Sequence, residues 1–205
     1  MEAKEKLNAT ALSLLEALGI EDSYTSQSLE RLASTDSKYL RDLKLNVAGV
    51  LKSKNLNAKE AALLALATAV NEKNTALINA FEKLAGNEGA TAEEISETHA
   101  CTSLLSLNNV FYRFRHYMKG NEYYNNTPAG IRMSIMMVPA MGKELFELMS
   151  LAVSALNGCE QCVTSHEHSV KELGTGEAKI YDSIRLAAVI KSLCVVIKLF
   201  FGYFF

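Results

Sequence analysis

The sequence has few of the residues that interrupt helices or cross-link a chain. Its 205 residues include only two prolines and four cysteines. Four cysteines are too few for the dense disulfide framework of a small secreted domain. A chain of this length can also bury about 70% of its extended surface. We therefore expect the hydrophobic core, and neither a metal nor a disulfide, to stabilise the fold.

The sequence also lacks a strong net charge and a long apolar run. The net charge is −2 and the isoelectric point is about 6.1, so no general attraction to nucleic acid is expected. The apolar tail Leu193–Phe205 contains a lysine and is shorter than the roughly 20 residues that span a bilayer. The charged N-terminus leads into an amphipathic helix and does not resemble a signal peptide. These features predict a cytoplasmic protein with no nucleic-acid partner and no membrane span.

Apolar residues recur at helical spacing along almost the whole chain, and no segment alternates as a strand does. Asn57 with Glu60, and Thr91 with Glu94, have the spacing of N-terminal capping pairs. The segment Asn121–Pro128 is rich in turn-forming residues and is predicted to be a loop. The sequence therefore predicts an all-α fold.

Two stretches of the chain are similar to later ones. Residues 64–71 resemble 150–157 at an offset of 86, and residues 92–95 resemble 177–180 at an offset of 85. The similarity suggests two related helical halves within a single domain of residues 1–205. The half up to about residue 120 would be structural, and the half from about residue 130 would contain the chemistry. At an offset of 86, the counterparts of Cys159, Cys162 and His166 are Lys73, Ala76 and Ala80. Shared alanine and leucine content is an alternative explanation of the similarity.

The residues with the clearest chemical pattern lie between Asn157 and His168. Cys159 and Cys162 have a Cys-x-x-Cys spacing, and His166 follows four residues later. In a helix that begins at Cys159, these three residues share one face. The start of a helix favours a thiolate there, and cysteines three residues apart can form a disulfide. This pattern predicts a redox site.

A carboxylate on the preceding helix is a candidate partner for this site. Glu147 lies twelve residues before Cys159 among mostly apolar neighbours, so it is expected to be half-buried and to need a partner. His166 is the natural one, because a carboxylate can orient an imidazole that takes a proton from a thiol. A glutamate at such a position is, however, more often simply a solvated helix residue.

Other interpretations of the polar residues remain open. The Cys-x-x-Cys with its histidine could belong to a zinc site, although no fourth ligand is evident. Cys101 and Cys194 are expected to be small core residues. His99 and His116 have no partner that the sequence identifies. The basic and aromatic run 112–119 is better explained as the end of a helix than as a nucleic-acid surface.

The run Phe146–His168 resembles the alkyl hydroperoxide reductase D (AhpD) family, which has the carboxymuconolactone decarboxylase-like fold. The resemblance extends to Asn108–Arg113, to Gly130–Met133 and more weakly to Asp42–Asn46, and so covers most of the chain. It implies an all-helical homotrimer with no bound cofactor. It also implies electron transfer from a dihydrolipoyl group on a lipoylated protein to an AhpC-like peroxiredoxin, with weak reduction of peroxides by the protein itself.

The resemblance also implies roles for individual residues. Cys162 would attack the peroxide and form the sulfenic acid, and Cys159 would donate a proton and then close the disulfide. His166 and Glu147 would form the proton relay. Well-known members of the family have a histidine immediately before the second cysteine, where this chain has Gln161. Because glutamine cannot relay a proton, the resemblance supports disulfide exchange more firmly than direct peroxide reduction.

The sequence thus predicts an antioxidant thiol peroxidase that is linked to a lipoyl donor. A general disulfide reductase or redox sensor is the enzymatic alternative, and a metal-binding or assembly module is the non-enzymatic one. The aromatic tail Phe200–Phe205 is expected to dock in the core or in a subunit interface.

Overall fold

The computed structural model describes residues 7–24 and 26–198, and these residues contain ten α-helices and no strand. The helices are α1 (Ala9–Ala17), α2 (Gln27–Ser34), α3 (Lys38–Leu51), α4 (Ala58–Asn71), α5 (Thr75–Asn87), α6 (Ala92–Tyr117), α7 (Glu122–Asn126), α8 (Lys143–Leu156), α9 (Glu160–Glu172) and α10 (Glu177–Val196). A short 3₁₀ turn, Ser134–Met136, precedes α8. The predicted all-α fold class is confirmed.

Both predicted capping pairs are present. Asn57 and Glu60 form a reciprocal capping box at the start of α4, and Thr91 and Glu94 do the same for α6. The prediction of a plain loop over Asn121–Pro128 was wrong, since this segment contains the single helical turn α7. The Asn121 side chain accepts hydrogen bonds from the first backbone N–H groups of α7, and this cap stabilises a turn in a polar sequence.

Helices α4 and α8 lie at the centre of the fold and pack against each other. Every residue of α4 from Ala61 to Ala69 is buried, as is every residue of α8 from Leu145 to Ser154. Helices α6 and α10 both pack across this central pair, α5 covers α4, and α9 covers α8. Helices that are apolar on all sides need such complete cover.

The same three-helix arrangement occurs twice. Helices α4, α5 and α6 begin at residues 58, 75 and 92, and α8, α9 and α10 begin at 143, 160 and 177, so a constant offset of 85 relates them. The left-handed residues Gly89 and Gly174 follow the same offset. The predicted counterparts Lys73, Ala76 and Ala80 were therefore wrong by one residue. The structure pairs Cys159, Cys162 and His166 with Asn74, Leu77 and Phe81.

The two halves differ in what occupies these equivalent positions. Leu77 and Phe81 are fully buried in the main hydrophobic core. Asn74 caps α5, and its side-chain amide donates to the carbonyl groups of Cys194 and Ile197 at the end of α10. At two of the three equivalent positions the first half therefore has apolar core side chains, and at the third it has a capping asparagine.

The described part of the apolar C-terminal segment packs one face into the core, and Val195 on the other face is 65% exposed. Leu193, Cys194, Val196 and Ile197 belong to the core, whereas the predicted docking of Phe200–Phe205 concerns residues outside the described part of the chain. In residues 7–24 and 26–198, no helix combines the length and apolar character that crossing a membrane requires.

Candidate active site

A tight turn between α8 and α9 places the two cysteines. Gly158 has φ +66°, a left-handed conformation that glycine adopts without steric cost. Cys159 follows as the N-cap of α9, so the helix begins at Glu160, one residue later than the sequence predicted. Cys162 consequently lies in the first turn, near unpaired N–H groups that favour a thiolate.

The two cysteines are bonded to each other but differ in access. Their Sγ atoms are 2.17 Å apart and their Cα atoms 5.3 Å apart. Cys159 is completely buried, and Cys162 is 6% exposed and lines a cavity. A molecule that enters the cavity therefore meets Cys162 first.

Glu147 contacts His166, as the sequence led us to expect. The Glu147 Oε2 atom lies 2.7 Å from His166 Nδ1. Glu147 is more deeply buried than expected, since only 4% of it is exposed.

Lys143 is a second partner of this carboxylate. Its ammonium lies 3.3 Å from Glu147 Oε1 and donates to the Met136 carbonyl at 2.6 Å. Burial alone would raise the pKa of Glu147, but His166 and Lys143 together hold it below the ordinary value of 4.5. The carboxylate therefore stays ionised and accepts a hydrogen bond from the Nδ1–H of His166, which leaves Nε2 of His166 to exchange a proton.

A cavity of about 320 Å³ opens beside Cys162 and His166. Its wall combines side chains from α6, α9 and the segment before α8. The lining residues are Asn108, Tyr112, Met133, Met136, Gln161, Cys162, Ser165 and His166. Apart from the reactive pair, the wall consists of methionine, aromatic and uncharged polar groups, so the cavity suits a small neutral molecule with an apolar part.

A hydrogen-bond network holds the turn before Cys159 against α6. Arg113 Nη1 donates to the Asn157 carbonyl at 2.6 Å. The Asn157 side chain donates to Asn109, which in turn donates to the buried Ser154 hydroxyl. This network fixes the turn from which α9 starts.

Neither of the remaining cysteines lines the cavity, although Cys101 lies close enough to Glu147 for that charge to act on its thiol. Cys101 and Cys194 are free and buried in helix interiors, as predicted. Burial raises the pKa of each thiol to about 12, so neither is a nucleophile near neutral pH.

His99 and His116, for which the sequence identified no partner, each lie near a glutamate at the surface. His99 lies 2.8 Å from Glu82, and His116 lies 3.8 Å from Glu160. Within the described ranges, no three histidine, cysteine, aspartate or glutamate side chains converge as metal ligands would.

Sequence reasoning missed several residues of the site. The spacing of four between Lys143 and Glu147 on one helix would have indicated their contact. Asn108, Tyr112, Met133 and Met136 gave no such signal, because the fold brings them to Cys162 from distant parts of the chain.

The structure combines a cysteine pair that can form a disulfide at the start of a helix with a neighbouring Glu–His pair in an all-α fold. These features are those of a helical dithiol–disulfide oxidoreductase. A profile of the carboxymuconolactone decarboxylase family matches residues 125–199, which include this site.

Curated relatives identify the family more closely. The alkyl hydroperoxide reductase AhpD of Anaeromyxobacter dehalogenans is 40% identical over 159 residues, covering 78% of this chain and 84% of its own. AhpD of Mycolicibacterium paratuberculosis is 35% identical over 173 residues, covering 83% and 94%. AhpD of a Bradyrhizobium species is 33% identical over 171 residues, covering 83% and 93%. The chain belongs to the AhpD family, and the resemblance noted in the sequence is confirmed.

Proposed function

We propose that this protein reduces alkyl hydroperoxides through a reversible Cys159–Cys162 disulfide. The observation that supports this most strongly is the position of Cys162, which faces a cavity beside an imidazole that a buried carboxylate orients. The names of the relatives, alkyl hydroperoxide reductase, describe the same activity.

The reaction begins from the dithiol. His166 accepts the Cys162 proton, and the thiolate attacks the terminal oxygen of R–O–O–H. The S–O bond forms as the O–O bond breaks, giving Cys162 sulfenic acid and an alkoxide. The alkoxide takes a proton from the Cys159 thiol and leaves as the alcohol.

The second half of the cycle closes and reopens the disulfide. The Cys159 thiolate attacks the Cys162 sulfur, and hydroxide leaves as water after taking the proton from His166. A dihydrolipoyl dithiol then attacks Cys162, the accessible sulfur, to form a mixed disulfide. The second lipoyl thiol then attacks the lipoyl sulfur of this mixed disulfide and expels the Cys162 thiolate, so the lipoyl group becomes the disulfide and both cysteines are reduced again.

Lowering the thiol pKa contributes little to the rate. A shift from about 8.5 to about 7 increases the thiolate fraction at pH 7 about 16-fold. With a Brønsted slope of about 0.5, the same pKa shift lowers the nucleophilicity of the thiolate about sixfold. The net gain in rate is therefore only about threefold. Orientation of the peroxide and protonation of its leaving oxygen must therefore provide most of the acceleration.

A second candidate function is disulfide exchange without useful peroxide turnover. Gln161 favours it, because this residue lines the cavity and cannot relay a proton. In this case the protein transfers electrons from a lipoylated protein to an AhpC-like peroxiredoxin. We also propose that the functional assembly is a homotrimer and that it acts in the cytoplasm.

Turnover with dihydrolipoamide tests both functions. Peroxide consumption by the protein alone supports the first function, and consumption that requires an added peroxiredoxin supports the second. Cys162→Ser should abolish both activities, and Cys194→Ser is the matched control that should retain them, because Cys194 is a free cysteine near the end of α10 that does not line the cavity. Full activity of Cys162→Ser would contradict both functions. Stoichiometric zinc that Cys159→Ser removes would favour the metal-binding alternative.

A further inference from the structure

The cavity contains a polar group that neither the relay nor the fold uses. Asn108 is 5% exposed and lines the cavity from α6, together with Cys162 and His166. Its amide nitrogen donates to Met133 Sδ at 3.3 Å. Its Oδ1 atom is buried and has no hydrogen-bond partner among the described residues.

A buried acceptor without a partner is rare, and its presence at a reactive site suggests a ligand. The neighbouring residue Asn109 shows the ordinary arrangement, because both ends of its amide are bonded, to Ser154 and Asn157. Asn109 does not line the cavity. The unpaired acceptor is therefore found on the one asparagine of the pair that lines the cavity.

We propose that Asn108 Oδ1 accepts the O–H hydrogen of the bound hydroperoxide and thereby points its terminal oxygen at Cys162. This inference rests on the proposed peroxide reduction and deepens it. A hydroperoxide has one hydrogen-bond donor, and that donor is on the oxygen that the thiolate attacks. Holding it fixes the O–O bond in line with the sulfur and leaves the alkoxy oxygen to receive the proton.

Access to Oδ1 requires only a small side-chain movement. Met133 lies against the amide and is partly exposed, and an unbranched thioether changes rotamer easily. Once the S–O bond has formed, the same acceptor can bond the O–H of the Cys162 sulfenic acid. Hydroperoxides are thereby selected over dialkyl peroxides, which have no O–H group.

The experiment compares the reactions of the pre-reduced protein with three electrophiles in single turnover. Tert-butyl hydroperoxide and hydrogen peroxide have the O–H group, whereas methyl methanethiosulfonate, which the same thiolate attacks to form a mixed disulfide with loss of methanesulfinate, has none. Asn108→Leu removes the acceptor at similar size, and Asn108→Ala is a second variant in case the first does not fold. In both variants the reactions with the two peroxides should be about tenfold slower than in the unmodified protein. The rate of reaction with the thiosulfonate should stay within about twofold of the unmodified protein's.

Thr102→Val is the control for a structural role of a buried polar group on α6. It removes a hydroxyl that donates to the Thr98 carbonyl at a buried position of the same helix that does not line the cavity, and its three rates should match the unmodified protein. Unchanged peroxide rates in both Asn108 variants would overturn the inference. If the reactions with all three electrophiles were slowed equally, the inference would also be overturned, because Asn108 would then affect the structure of the site and not the binding of the peroxide. An unmodified protein that reacts with the thiosulfonate but not with peroxide would instead disprove the proposed function.

Discussion

At the scale of single residues, Glu147 is the group on which the site depends. Its carboxylate is buried, and its two oxygens contact His166 and Lys143. A buried charge is tolerated only when its partners remain in place. The effects of changing Glu147 should therefore appear in both activity and stability.

Glu147→Gln should reduce peroxide turnover about 100-fold, because the amide cannot hold His166 as an ionised carboxylate does. Its effect on stability should depend on pH. The folded-state pKa of Glu147 lies below 4.5, so the ionised form stabilises the fold above about pH 4.5, and this contribution is lost as the pH falls through the folded-state pKa. Denaturant unfolding should therefore show a difference between the two proteins that is largest near neutral pH and shrinks in acid. A difference that stays constant with pH would contradict the assignment.

Lys143→Met removes the second partner of Glu147. We expect the acidic limb of the pH–rate profile to move to higher pH, because Lys143 is one of the groups that lower the pKa of Glu147 and its removal lets the carboxylate bind a proton more tightly. Lys171→Met is the matched control, since Lys171 pairs with Glu167 and Glu177 on the outer surface. Steady-state rates across pH give the comparison. Identical profiles for the two variants would show that Lys143 has no influence on the relay.

At the scale of elements, the turn between α8 and α9 is where the fold and the site meet. Helix α9 has few buried residues, namely Cys162 and Val170, so apolar packing alone does not position it closely. The Arg113 bond to the Asn157 carbonyl is therefore expected to hold the start of α9.

Arg113→Met should weaken disulfide formation about tenfold, because a looser turn lowers the effective concentration of one thiol at the other. Equilibration with glutathione buffers, followed by thiol trapping, measures this constant. Arg115→Met is the control, because Arg115 lies over the Phe111 ring and bonds the Thr127 carbonyl, away from the turn. Equal constants for both variants and the unmodified protein would contradict a role for the turn bond.

At the scale of the whole molecule, the three-helix unit occurs twice, and the first copy contributes to the core while the second contains the candidate active site. The offset of 85 pairs His166 with Phe81, which is buried in the main core. The first half thus contributes apolar packing at the position where the second half exposes an imidazole to a cavity. This division predicts opposite consequences for substitutions at the two equivalent positions.

Phe81→Ala should lower the free energy of unfolding by about 3–5 kcal/mol, because it leaves a cavity in the core. Its turnover, measured well below the melting temperature, should remain close to normal. His166→Gln keeps a donor for Glu147 and should cost less than about 1 kcal/mol, but it should reduce turnover at least about 100-fold. Denaturant unfolding and turnover of both variants give the test. Similar losses of stability in the two variants would contradict the assigned division.

The amino-acid sequence was sufficient to predict the all-α class, the capping boxes, the Cys-x-x-Cys at the start of a helix and the contact of Glu147 with His166. These features follow from spacing within a helix or between two consecutive helices, which the chain specifies locally. Only the packing of the helices shows which sulfur faces the cavity, where the repeat aligns, that Asn108 on α6 lines the cavity with Cys162, and that Arg113 on α6 bonds the turn before α9. These depend on packing between helices that are far apart in the sequence, and side-chain periodicity specifies that an apolar face is covered without specifying which helix covers it.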